Sequence, residues 1–129
     1  MAKSFVLDSS ALLASLFREP GAAIVEAVLS KAAMSALNYS EVVAKLVRRG
    51  ESINVAIRLI DDLSIPIVAW DEDLAREAAD LSKLAWTHGL SLGDRACLAT
   101  ARHLNRTALT AEQSWREVPK LGVPIQVIR

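Results

Sequence analysis

Phe5-Val6-Leu7-Asp8-Ser9-Ser10-Ala11-Leu12-Leu13 passes from a short apolar run, through polar residues of the kind that cap helices, into a second apolar run. Ser4–Leu7 therefore reads as a strand and Ala11–Phe17 as a helix, which Pro20-Gly21 breaks. The same passage from strand to helix recurs along the chain. A second helix is expected over Ala22–Ser30 on the stripe Ile24, Val25, Val28 and Leu29, with a strand near Ala33–Ala36. Tyr39, Val42, Val43, Leu46 and Val47 recur at helical spacing up to Gly50, and Asn38 and Glu41 are spaced like a capping pair. Ser52–Leu63 repeats the pattern on Ile53, Ala56, Ile57 and Ile60, and Pro66 opens a strand at Ile67–Ala69. First-turn acids Asp71-Glu72-Asp73 start a helix whose stripe, Leu74, Ala78, Leu81 and Ala85, reaches Gly89. Ser91-Leu92-Gly93-Asp94 reads as a capped start for a helix through Leu104; after it come a strand at Thr107–Leu109, a helical turn from Thr110 to Val118 and a strand at Ile125–Ile128. Strands alternating with amphipathic helices predict an α/β fold, an α/β/α sandwich around a mostly parallel sheet.

Composition narrows the class. The 129 residues are 52% hydrophobic and 23% charged, which suits one domain over 1–129 with a real core and excludes a disordered chain. No stretch approaches the ~20 apolar residues of a membrane span, so neither a membrane partner nor a signal peptide is expected. Cys97 stands alone, which excludes an internal disulfide and a Cys-rich zinc site and suits the cytoplasm. Fifteen bases balance 15 acids, so the total charge gives no argument for a nucleic-acid partner.

Four acids fall at corresponding places. Asp8 ends the first strand, Glu41 follows the second, Asp94 opens a helix and Glu112 follows the strand Thr107–Leu109. In an open parallel sheet such positions gather at the carboxyl edge, where ligands bind. Carboxylates ~4 Å apart repel by roughly 4 kcal/mol per pair at an effective dielectric near 20, so a cluster requires protonation or a cation. A hard divalent ion, Mg²⁺ or Mn²⁺, takes oxygen ligands of this kind, and the chemistry it supports is phosphodiester hydrolysis. Each acid also has a plainer reading. Glu41 fits a cap or an ion pair with Lys45, Asp94 fits a Ser91 cap, and Glu112 fits a dipole-complementing acid beside Thr110 and Gln113. Asp8 is harder to explain as structure, because a carboxylate against Phe5-Val6-Leu7 abuts buried surface.

Val6-Leu7-Asp8-Ser9-Ser10, Asn38-Tyr39-Ser40-Glu41-Val42, Ser91-Leu92-Gly93-Asp94-Arg95-Ala96 and Leu109-Thr110-Ala111-Glu112-Gln113 resemble, in order, the four motifs of PIN-domain ribonucleases. The resemblance covers nearly the whole chain, and its length is similar to that of the VapC toxins of bacterial and archaeal type II toxin–antitoxin systems. It implies an endoribonuclease dependent on Mg²⁺ or Mn²⁺, with an RNA substrate such as a tRNA, a homodimeric assembly and a VapB-type antitoxin. Carried over position by position, it implies Asp8, Glu41 and Asp94 as catalytic, metal-holding acids and Glu112 as the fourth, at a place where the family more often has aspartate. Thr110 is an implied helper near the metal; from the residues themselves, Ser9 and Ser10 fit caps or hydrogen-bonders to the acids, and Arg95 is a candidate for binding substrate phosphate or an antitoxin carboxylate.

Two other readings compete. A phosphohydrolase using Asp8 as nucleophile would need a second aspartate where Ser10 stands, and a non-catalytic interaction module would treat the four acids as caps. His88 and His103 lack partners at metal-ligand spacing, Cys97 fits a buried thiol, and Trp70, Trp86 and Trp115 fit helix packing. With four of the 15 acids turned inward, eleven face 15 bases, an excess of four positive charges on the rest of the molecule. A neutral total therefore leaves room for a surface that holds RNA.

Overall fold

In the computed structural model, residues 3–119 and 122–129 are described. Five strands form one parallel sheet: β1 (Phe5–Leu7), β2 (Ala32–Ser35), β3 (Ile67–Val68), β4 (Thr107–Thr110) and β5 (Ile125–Val127), in the order β3-β2-β1-β4-β5. Seven helices among the described residues cover it: α1 (Ser9–Leu16), α2 (Ala22–Val28), α3 (Ala36–Arg48), α4 (Ile53–Asp61), α5 (Glu72–Asp80), α6 (Ser82–His88) and α7 (Leu92–Leu104). The expected α/β/α sandwich is present. Within this span no helix is long and apolar enough to cross a membrane.

Strand alternation splits the core into two layers. Phe5, Leu7 and Leu109 face one side with Leu12, Val25, Met34, Val42 and Ile60, while Val6 and Ala108 face the other with Leu81, Cys97, Ala101 and Trp115. Cys97 is the expected buried thiol, pushed well above its ordinary pKa chiefly by burial. Trp115 is 1% exposed, whereas Trp86 on α6 is 82% exposed and does not pack as expected.

Chain order places the working edge. From β1 the chain winds outward through β2 to β3, then crosses back to β4 on the other side of β1. The reversal opens a crevice at the carboxyl ends of β1 and β4. Leu7 pairs with Leu109, so Asp8, just past β1, stands beside Thr110, the last residue of β4.

Several boundaries differ from expectation. α3 begins at Ala36, because the Ser35 hydroxyl accepts the Leu37 N–H and ends β2 there; Ala36 belongs to the helix and Asn38 is no cap. The single helix expected from Asp71 to Gly89 is two, since Leu81 flattens to ψ 0° between α5 and α6. β4 extends through Thr110, and the expected helical turn contracts to a 3₁₀ segment at Gln113–Glu117. Gly21 takes φ 95° and lies so close to Ile128 that a side chain there would collide with it.

Candidate active site

Asp8, Glu41, Asp94 and Glu112 line one open cleft of about 460 Å³ at the crevice beside β1. Residues far apart in sequence thus share a site. Asp8 is only 3% exposed, and two hydroxyls converge on its Oδ2: Ser10 Oγ at 2.7 Å and Thr110 Oγ1 at 2.8 Å. Each hydroxyl has one proton to give, and each gives it to Asp8. Their lone pairs accept backbone N–H groups of the β4 exit, Ala111 N on Ser10 at 3.0 Å and Glu112 N on Thr110 at 3.0 Å. The β4 exit loop is thereby fastened to the Asp8 carboxylate.

Glu41 is held in the same manner. Ser9 Oγ donates to its Oε1 at 2.6 Å, and Asn38 Nδ2 donates to the same oxygen at 3.0 Å. Asn38 also donates to the Gly93 carbonyl on α7 at 3.0 Å and lies 3.3 Å from Ser9 Oγ. It is fully buried, and its Oδ1 has no hydrogen-bond partner among the described residues. The spacing of three that suggested a cap is instead one turn of α3, which brings Asn38 beneath Glu41. Ser9 and Ser10 are the hydrogen-bonders to the acids that the sequence suggested, whereas the part of Asn38 in the site is not apparent from the sequence.

Asp94 serves both of the roles weighed for it. Ser91 Oγ accepts Asp94 N–H at 3.1 Å and Asp94 Oδ2 accepts Ser91 N–H at 2.9 Å, a reciprocal capping box that starts α7. The carboxylate nevertheless borders the cleft. Ser91→Ala removes one half of this cap and should cost about 1 kcal/mol in denaturant unfolding.

Asp8, Glu41 and Asp94 share a pattern. In each, hydrogen bonds fix one carboxylate oxygen while the other lies outside those bonds. Glu112 differs: its side chain is exposed and accepts no hydrogen bond among the described residues. Burial, with a smaller push from the Asp94 charge, lifts the Asp8 carboxyl from 3.8 to about 6 against the opposing Ser10 and Thr110 hydroxyls. Burial raises Asp94 as well, and the charges of Glu112 and Glu41 add to it. The acids sense one another, as an electrostatic cluster must. Among the described residues no three acidic, His or Cys groups form a ready-made ion cage. The acids that line the cleft offer carboxylate oxygens, the donor type that a hard divalent cation takes.

Arg95 turns toward α5 rather than toward the acids. Its Nη1 donates to the Ala78 carbonyl on α5 at 3.2 Å and it does not border the cleft, because adjacent helical positions point in different directions. The cations that do border it are Lys45, Arg49 and Arg129. Glu41 and Lys45 form no ion pair. His88 and His103 do not border it either.

Comparison with known proteins extends these observations. The VapC ribonuclease Mb2780c of Mycobacterium bovis is 38% identical over 79 residues, a match that spans 57% of this chain and 60% of that protein's length. A toxin–antitoxin complex from Klebsiella pneumoniae has a chain of the same fold, with TM-score 0.71 and 20% identity over 98% of both chains. DNA-bound VapBC from Salmonella typhimurium gives TM-score 0.73 at 12% identity, covering 99% of this chain and 100% of that one. The model of one family, the PIN domain, matches residues 5–121 and so takes in all four acid-bearing segments. By that match, and by a parallel sheet that gathers the same four acids at one edge, the chain belongs to the PIN domain family.

Proposed function

We propose that residues 1–129 form one PIN domain acting as a VapC-type endoribonuclease toxin, which hydrolyses RNA phosphodiester bonds at the acidic cleft. The observation that carries the reading is the arrangement of Asp8, Glu41 and Asp94. Each has a carboxylate oxygen held by hydrogen bonds, and all three line one cleft. Orientation of this kind costs no rearrangement at the moment of reaction. Asp8, Glu41 and Asp94 are the residues that would hold Mg²⁺ or Mn²⁺, with Glu112 reaching in from the exposed rim. Such an ion, when bound, supplies an activated water and neutralises charge on the phosphoryl oxygens. The hydroxyls of Ser10 and Thr110 keep Asp8 in place, and Ser9 and Asn38 do the same for Glu41. The partnership with a VapB-type antitoxin, the homodimer and a cytoplasmic setting belong to the same reading, and the toxin–antitoxin complexes of similar fold support the antitoxin partner.

Purified protein should cleave RNA with Mg²⁺ or Mn²⁺ and lose that activity in EDTA. Asp94→Asn should lower the rate by about 10²-fold or more, the scale of removing one preorganised charge. Activity undiminished in EDTA and in Asp94→Asn would remove the metal-site assignment. Inactivity toward every RNA tried, with tight RNA binding retained, would favour the non-catalytic interaction module.

A further inference from the structure

The acids account for one end of the cleft, and the cations mark the other. Glu41, Lys45 and Arg49 follow one another at i, i+4 and i+8 along the cleft-facing side of α3 and its last turn. A rise of 1.5 Å per residue spaces them about 6 Å apart along the axis. That step is comparable to the separation of neighbouring phosphates on an extended nucleic-acid strand. Arg129, the third cation of the cleft, is already engaged by Glu19 at 3.5 Å and by the Pro20 carbonyl at 3.3 Å. Lys45 and Arg49 belong to no ion pair among the described residues. The Arg49 guanidinium lies 4.2 Å from the centre of the Phe17 ring, a stack that fixes its plane while its N–H edge remains available to an anion.

We propose that Lys45 and Arg49 form a phosphate track that holds the RNA strand on one side of the bond being cut. The scissile phosphate lies at the acids, the next at Lys45 and the one after at Arg49. This rests on the ribonuclease reading and specifies how the substrate enters the site.

The test is fluorescence anisotropy of a labelled single-stranded RNA oligonucleotide in Mg²⁺, on an Asp94→Asn background that slows turnover. Each phosphate contact on a single strand contributes about 0.7 to the slope of log affinity against log salt, so Lys45→Gln with Arg49→Gln should reduce its magnitude by about 1.4. Lys45→Arg should retain the wild-type slope. Lys31→Gln with Arg106→Gln, in the groove at the opposite edge of the sheet, should leave it unchanged. An unmoved slope in the Lys45/Arg49 pair, or a loss in the Lys31/Arg106 pair instead, overturns the track. So does a loss of affinity for an acidic peptide without one for RNA. Failure of the nuclease reading looks different: the slope falls as stated, yet the unsubstituted protein cuts no RNA with either metal.

Discussion

Asp8→Asn should yield a protein more stable than the wild type at neutral pH when metal-free, and inactive on RNA. The stability change follows from where the charge sits. An unfolded aspartate titrates near 3.8, whereas burial lifts Asp8 to about 6, so the folded state retains its proton over a window in which the unfolded chain has lost it. Stability from this group is therefore greatest below about 3.8 and falls as pH rises to about 6. Above that, the ionised carboxylate costs the folded state about 3 kcal/mol, at 1.36 kcal/mol per pKa unit. Asparagine removes the charge and still offers Oδ1 to both Ser10 and Thr110. Urea unfolding of EDTA-treated wild type and variant should give curves that diverge between pH 4 and 6, with the variant ahead by up to about 3 kcal/mol at pH 7. Mg²⁺ should narrow the gap, because a ligand of the folded state stabilises only the protein that binds it. A wild type that gains on the variant as pH rises would show that Asp8 is not a desolvated carboxylate.

That such a cost persists bears on how much of the site the sequence reveals. Asp8 stands out because its neighbours Phe5-Val6-Leu7 have to be buried, and a charge beside them has no structural benefit. Strand-to-helix passages carry most of the fold for a similar reason: periodicity reports which face is apolar. Periodicity does not report where an element is interrupted. The stripe through Leu74, Ala78, Leu81 and Ala85 continues in phase across the break at Leu81, so α5 and α6 read as one helix. At Ala32–Ser35 the strand is short and weakly apolar, and only the Ser35 cap marks where α3 begins, which turns the apparent Asn38 cap into a buried support. Arg95 is adjacent to Asp94 in sequence yet bonds to α5, whereas Lys45 and Arg49 follow Glu41 at helical spacing. Residues four apart share a face and neighbours do not.

Gly93→Ala should abolish most of the cleavage activity while leaving the protein folded. On propensity alone, alanine within a helix is favoured over glycine by about 1 kcal/mol. At Gly93 that gain meets an obstacle. A Cβ built there would overlap both oxygens of the Glu41 carboxylate. Those oxygens end a flexible side chain, so the collision is relieved by moving Glu41 rather than the α7 backbone. Moving Glu41 breaks its bonds to Ser9 and Asn38 and withdraws it from the cleft. The activity loss should accordingly match that of Glu41→Ala, on the order of 10²-fold. Thermal unfolding should show a protein no less cooperative than wild type. The double variant separates this account from a general distortion of the site. If Gly93 acts through Glu41, then Gly93→Ala on a Glu41→Ala background should cost almost nothing further, a coupling nearly as large as either single effect. Additive losses would mean that the added methyl group disturbs Asp94 or the start of α7 instead, and that close α7–α3 packing serves more than one of the acids.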